Sequence, residues 1–303
     1  MVTFLDMFPV LFSIGKFSVS SFGVFLSLGF IFGVFLIWRL SRAWDLDEEK
    51  ILDLTLLTFV GGLIGARIYF GITHISEFAS SPLNFILFFK YPGFSFWGGF
   101  LGGWLTMYYY ARRQRVDFWQ IADIAAVGFL GGLILSDLGC FLGGCGAGSQ
   151  THLFLGVPMV GLIGRRWPVQ LVEAILLAFI LRNIWKKATH FHLRGKIISL
   201  SLVLIGLVKL MLLPFKQIAG GEYIFSSLLV ILGITIFYRV TKQNIIIDLK
   251  RFVKFISNRK LVLEVLQKSW YNHQTSFTWK FRNLKKLLRR FNVRFSIKNT
   301  KIS

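Results

Sequence analysis

Seven continuous apolar stretches, at roughly 20–38, 51–72, 94–111, 121–142, 168–185, 197–215 and 222–239, constrain this chain more than any other feature. The hydrocarbon core of a bilayer is about 30 Å thick and a helix rises about 1.5 Å per residue, so one crossing takes roughly 20 mainly apolar residues. Each stretch is close to that length, and each is continuous rather than alternating, which argues for helices and against strands. Composition agrees: 54% of the 303 residues are hydrophobic and only 16% charged, where an ordinary soluble domain carries about a quarter charged residues. The expectation is an all-α polytopic membrane protein of about seven transmembrane helices, and a soluble domain is excluded. The fourth stretch carries Asp123 and Asp137, and the sixth carries Lys209 with Pro214 near its end. Charge inside a span is costly, so these positions are either helix ends or residues facing a protein interior or wet cavity. The first stretch begins late, follows no basic leader and precedes no small-residue cleavage pattern, so a cleavable signal peptide is not expected.

Basic residues give the orientation. Arg39, Arg42 and Lys50 follow the first stretch; Arg112, Arg113 and Arg115 follow the third; Lys186, Lys187, Arg194 and Lys196 follow the fifth. The opposite loops hold Lys16, Lys90 and Lys216. Positive charge favours the cytoplasmic side, which puts the N-terminus outside and the C-terminus in the cytoplasm. Arg165 and Arg166 run against that trend and invite a functional reading.

The chain divides into a transmembrane domain, residues 1–240, and a basic tail, residues 241–303. The tail holds sixteen Lys or Arg against two acids, Asp248 and Glu264, and so supplies most of the net charge of +21. Apolar residues interleave the charges at Leu261, Val262, Val265 and Leu266, and again at Phe281, Leu284, Leu287 and Leu288. That pattern fits a basic amphipathic helix lying on anionic inner-leaflet lipids. Nucleic-acid binding is the weaker reading of the same residues and is not expected.

Cys140 and Cys145 are the two cysteines. They are too few for a structural zinc site, no His pair is spaced to complete one, and no metal or other cofactor is expected. Small residues permitting close backbone approach are the preferred reading, with a disulfide at the outer face as the alternative. Glycines recur at Gly61, Gly62 and Gly65, at Gly98, Gly99, Gly102 and Gly103, and at Gly131 and Gly132, where spacings of about three or four suit close helix crossings. Gly143, Gly144, Gly146 and Gly148 at a helix end free backbone amides that can hold an anion.

Several ordered motifs resemble the prolipoprotein diacylglyceryl transferase family. Phe12-Ser13-Ile14-Gly15 with Ser21-Phe22-Gly23 is similar to that family's approach to its first span. Gly65-Ala66-Arg67-Ile68-Tyr69 is similar to its second-span motif, and Phe94-Ser95-Phe96-Trp97-Gly98-Gly99 to its glycine motif. Leu138-Gly139-Cys140-Phe141 with Gly143 to Gly146 resembles the family signature, and Arg166-Trp167-Pro168-Val169-Gln170-Leu171-Val172-Glu173 resembles its Arg-His-Pro-x-Gln-Leu-Tyr-Glu segment. The matches run from about residue 8 to residue 240. The chain departs from the family at Trp97 in place of His, Ser136-Asp137 in place of Gly-Arg, Cys140 in place of Asn and Phe22 in place of Tyr. In the sixth span the family's Arg and Glu become Lys209 and Leu213, with Lys216 standing for a later Arg.

The resemblance implies transfer of a diacylglyceryl group from phosphatidylglycerol to the cysteine thiol of a prolipoprotein precursor, in a bacterial cytoplasmic membrane. Such chemistry needs a base for the thiol and a cation for the leaving phosphate. Arg67, Arg165, Arg166 and Lys209 are the candidate cations, arginine being the better phosphate fork. Glu173, Asp137 and His152 are the candidate bases. Glu173 lies about one turn from Gln170, so both face one side of a helix. The expected catalytic set is Arg166, Gln170, Glu173 and Asp137, and the expected substrate-binding set is Arg67, Gly98, Gly99, Gly139, Gly143, Gly144 and Lys209. His74, His190, His192 and His273 read as loop or interface residues. Two other functions stay open: a transferase-like protein that binds lipid head groups or a protein partner after losing its chemistry, and a small-solute transporter. No internal repeat joins the spans, which counts against transport.

Overall fold

The computed structural model describes residues 10–14, 17–78, 93–153, 156–159, 162–216, 221–243 and 267. The chain divides into two compact units, Met1–Lys242 and Gln243–Ser303. The tail's amphipathic segments, and with them Lys16, Lys90 and His273, lie outside the described residues.

Among the described residues, seven long helices coincide with the seven apolar stretches: α1 Ser21–Ala43, α2 Glu48–Thr73, α3 Phe96–Arg113, α4 Phe118–Gly143, α5 Val169–Ala188, α6 Lys196–Leu212 and α7 Gly221–Thr241. A single turn, Ile75–Phe78, follows α2, and a 3-10 turn, Leu213–Phe215, extends α6. Five of these are long and apolar enough to cross a membrane: α1, α2, α4, α6 with its 3-10 turn, and α7. The other two are more polar. In α3, three tyrosines and two arginines occupy the last six positions; α5 carries Glu173, Arg182, Lys186 and Lys187.

Helix starts obey ordinary capping rules. Ser20 accepts from the Gly23 amide at 3.2 Å, Asp47 from Lys50 at 3.3 Å, and Asp117 from Trp119 at 2.9 Å, each satisfying an amide with no partner inside its helix. Pro168 stands just before α5, where its missing N–H costs nothing. Asp123 caps from a distance. Although 0% exposed in α4, it accepts from the amides of Gly195 and Ile198 at 2.7 Å each, at the start of α6. Of the two acids in the fourth apolar stretch, this one therefore serves a helix end. His192, 3.6 Å from the same carboxylate and with its ring centre 4.9 Å from that of Trp44, is part of that junction.

The interior gathers Leu40 from α1, Ile124 and Leu130 from α4, Leu177 and Ile184 from α5 and Ile197 from α6. Much apolar area also points outward, with Ile31, Leu105 and Ile231 each at least 59% exposed, as expected where lipid replaces water. Close crossings depend on glycine. A Cβ at Gly33 would lie 2.8 Å from the Gly128 carbonyl, binding α1 to α4, and one at Gly65 would lie 2.5 Å from the Gly98 carbonyl, binding α2 to α3.

The all-α expectation needs one correction. Among the described residues two small antiparallel sheets accompany the helices: β1 Val10–Ile14 with β2 Phe17–Ser20, and β3 Val157–Pro158 with β4 Arg165–Arg166. They are made by connecting segments that pair their own backbone groups, so they do not alter the helical architecture.

Candidate functional site

Asp137 near the end of α4, Glu173 near the start of α5, and Lys209 near the end of α6 come from the same end of the bundle, and the chain just past α6 adds Lys216. Glu173 is 1% exposed and binds both cations: Lys209 Nζ lies 2.7 Å from Oε1 and Lys216 Nζ 3.0 Å from Oε2. Asp137 feels the charges of all three residues, and its Oδ2 is buried with no hydrogen-bond partner among the described residues. The Lys209 ammonium also sits 4.6 Å from the centre of the Phe96 ring, a cation–π contact that tethers α3 to the cluster.

The loop after α4 forms the adjoining wall. Gly144, with φ +76, ends α4 in the left-handed conformation that glycine adopts without strain. Cys140 and Cys145 are joined by a disulfide, so the small-residue reading gives way to the cross-link. The bond closes the turn through which Gly144 leaves the helix. Gln170, 3% exposed, donates through Nε2 to the carbonyls of Cys145 and, at 2.8 Å, of Gly146. Farther along, Gly148 pairs with Lys216 and Gln150 with Arg166, while Ser149 N donates to Phe215 O at 2.8 Å. Residues 148–150 are thus bonded to the segment carrying Arg166 on one side and the segment carrying Lys216 on the other. Arg166, 8% exposed, donates to Gly148 O at 3.4 Å, and its Nε has no partner among the described residues.

Arg166, Gln170, Glu173, Asp137 and Lys209 are therefore tied together by one loop and one ion cluster. Lys216 joins them, although its place in a connecting segment made it look like an ordinary loop charge; its standing for a family arginine was the signal. The remaining expected residues have other neighbours. Arg67 donates to Gly93 O at 2.9 Å and lies 5.9 Å from the ring centres of Phe70 and Phe94. Gly98 and Gly99 face Gly65, Ala66 and Gly62 across the α2–α3 crossing, and Gly139 and Gly143 face Phe22 of α1. Arg165 and His152 are exposed. Trp97 packs against Phe96 at 5.0 Å and stacks on Phe225 at 4.9 Å.

Three buried polar atoms, on Asp137, Arg166 and Gln170, have no hydrogen-bond partner among the described residues, and they belong to the same segments that meet at the Glu173 carboxylate and its two lysines. Each such group costs roughly 1–3 kcal/mol if left alone, which marks the place where a polar ligand would be gained. Glu173 stands against three cations, Arg166, Lys209 and Lys216, an excess of positive charge that suits an anionic ligand.

Fold and site together define a multi-pass helical membrane protein with a buried cluster of charged side chains at one end of its bundle. The family model for prolipoprotein diacylglyceryl transferase matches residues 9–242, and the chain belongs to that family. It is 33% identical over 164 residues to the phosphatidylglycerol–prolipoprotein diacylglyceryl transferase of Deinococcus radiodurans, covering 53% of this chain and 46% of that protein. It is 27% identical over 206 residues to the enzyme of that name from Clostridium tetani, covering 65% and 81%. With the Thermus thermophilus protein of that name it shares 34% identity over 144 residues, covering 47% and 51%. The chain thus spans about half the length of two of these three relatives.

Proposed function

We propose that this chain transfers a diacylglyceryl group from phosphatidylglycerol to the lipobox cysteine thiol of a prolipoprotein, in the cytoplasmic membrane of a bacterium. The observation that carries the reading is the set of buried polar atoms on Asp137, Arg166 and Gln170 that lack hydrogen-bond partners among the described residues, on the segments that carry the Glu173–Lys209–Lys216 cluster, inside the family-matched segment. In this scheme the thiolate sulfur attacks the glycerol carbon that bears the phosphate ester. A carbon–sulfur bond forms, the carbon–oxygen bond to phosphate breaks, and glycerol phosphate leaves with the bonding electron pair. Asp137 Oδ2 takes the thiol proton. Arg166 Nε and the lysine pair meet the charge on the departing phosphate, where preorganised cations have their largest effect. Gln170 keeps the loop of Cys145 and Gly146 at the pocket wall, and Glu173 holds both lysines in place.

The proposed topology has all seven helices crossing the bilayer, the N-terminus outside and the C-terminus inside, with the basic tail on anionic inner-leaflet lipid. The two more polar helices, α3 and α5, cross because their charges lie at their ends or in the cluster. The purified protein, given a lipobox-type cysteine peptide in phosphatidylglycerol-containing detergent, is expected to yield a diacylglyceryl adduct by mass spectrometry. Arg166→Ala should abolish it. No adduct with any of several phospholipid donors, from folded protein, would favour a second reading, a lipid-binding protein that has lost its chemistry. Trp97 supports that alternative, since an aromatic stack against Phe225 occupies the family's histidine position.

A further inference from the structure

At the opposite end of the bundle from the ion cluster, where α3 gives way to α4, a cavity of about 620 Å³ opens. That volume lies within the roughly 300–1,000 Å³ of small-molecule sites. Trp104, Tyr108, Phe118 and Trp119 form its apolar lining, and Arg112 and Arg115 supply its charge. The aromatic wall is rigid: Phe118 meets Trp104 and Tyr108 edge-on at 5.4 Å each, and Trp119 at 5.5 Å. The Arg112 guanidinium lies 5.2 Å from the Tyr108 ring centre. Arg115 follows the last turn of α3 with φ 55, and two bonds fix that turn, Arg115 N to Arg112 O at 3.4 Å and Val116 N to Ala111 O at 3.1 Å. Asp117, the neighbouring acid, is already occupied: it caps α4 and lies 2.7 Å from Arg194. Among the described residues neither Arg112 nor Arg115 has an ion pair.

We infer that this cavity is a second lipid site, separate from the transfer site, which holds an anionic phospholipid with its phosphate on Arg112 and Arg115 and its first acyl carbons along the aromatic wall. Two uncompensated guanidinium forks ask for an anion, and phosphate matches their geometry. The apolar wall asks for a hydrocarbon continuation, which a free phosphate lacks. Tyrosine and tryptophan at a helix end belong at the depth where head group meets chain. Basic side chains there also sit in the attractive potential of an anionic leaflet.

Native mass spectrometry of the full chain, loaded with phosphatidylglycerol or with phosphatidylcholine of the same acyl chains, tests the site. Wild type is expected to retain one more phosphatidylglycerol than R112Q/R115Q does, with occupancy of that lipid reduced roughly tenfold in the variant. Phosphatidylcholine should not replace it, and added salt should weaken it. A photocrosslinking residue at Tyr108 should capture lipid. The transfer activity of R112Q/R115Q should match wild type, which separates failure here from failure at the ion cluster. Equal anionic-lipid retention by wild type and a variant of unchanged melting temperature overturns the inference, and so does equal retention of phosphatidylcholine or a Tyr108 adduct to polypeptide.

Discussion

Glu173 holds two lysines on one buried carboxylate, and removing it is costlier than the pairs themselves are worth. Glu173→Gln leaves two ammonium groups in a dry site, and breaking a buried pair from one side typically costs about 3–5 kcal/mol. The expected result is a clear fall in melting temperature in detergent together with loss of transfer, whereas Glu173→Leu combined with Lys209→Leu and Lys216→Leu should recover stability but not activity. His192 makes a different residue-scale prediction. The Asp123 carboxylate 3.6 Å away holds its pKa above the usual histidine value of 6.5, with the His190 backbone adding to the rise and burial and Lys196 opposing it. A raised folded-state pKa means that the stabilisation is complete below the unfolded pKa and is lost as pH rises through the folded one. Melting temperature should therefore fall as pH climbs upward from about 6.5, and His192→Gln should flatten that part of the profile. An unchanged profile in the variant would remove the Asp123–His192 contact from the account. Of the residues proposed for the site, Arg166, Gln170 and Glu173 could be singled out because the start of one helix and the residues just before it carry all of them in a familiar order. The Lys216–Glu173 and Asp123–His192 contacts could not, since the partners lie 43 and 69 residues apart along the chain and no local spacing encodes such meetings.

Helix crossings carry the element scale. Gly65 and Gly98 stand where α2 and α3 nearly touch, and any Cβ at Gly65 would press on the Gly98 carbonyl and on the Cα of Gly102, 2.8 Å away. Gly65→Val should destabilise the protein by about 1–3 kcal/mol, the usual cost of overpacking a tight contact. The measurement that matters is whether Gly98→Ala lowers melting temperature or raises the KM for lipid. A stability loss alone assigns Gly98 to packing, and a KM change alone returns it to the substrate-binding set. The disulfide between Cys140 and Cys145 acts on one short turn. Closing so small a loop is worth about 2 kcal/mol on the chain-entropy account, so Cys145→Ser should lower the melting temperature modestly. Transfer should fall as well, because Gln170 grips the carbonyls of the same turn. The long helices were legible because crossing lipid demands continuous apolar runs of about 20 residues. The hairpins were not: Val10–Ile14 and Phe17–Ser20 are too short and too apolar to stand apart from the start of a span. The cross-link was equally hidden, since two cysteines separated by glycines satisfy the packing reading as well as the bonded one until the turn at Gly144 is known.

At the scale of the whole molecule, charge rather than packing sets the orientation, because a helical bundle packs equally well either way up in a symmetric slab of hydrocarbon. The ends of α1, α3 and α5 gather Arg39 and Arg42, Arg112 and Arg113, and Lys186 and Lys187, and the sixteen basic residues of 241–303 follow the end of α7. These all belong on one side if the helices alternate, and that side should be cytoplasmic. The ion cluster then falls in the outer half, where the thiol of a translocated precursor would meet it under the proposed function, and the Arg112–Arg115 cavity falls in the inner leaflet. Both cysteines of the chain are bonded to each other, so an introduced cysteine is a clean reporter. Ile163 is 91% exposed near the cluster end, and Gln114 closes α3 at the other. In intact spheroplasts a membrane-impermeant maleimide should label Ile163→Cys, and it should label Gln114→Cys only after the membrane is opened. The reverse pattern would invert the molecule: it would place the basic tail outside, turn the transfer site toward the cytoplasm, and leave the positive-inside rule broken at every loop where it was applied.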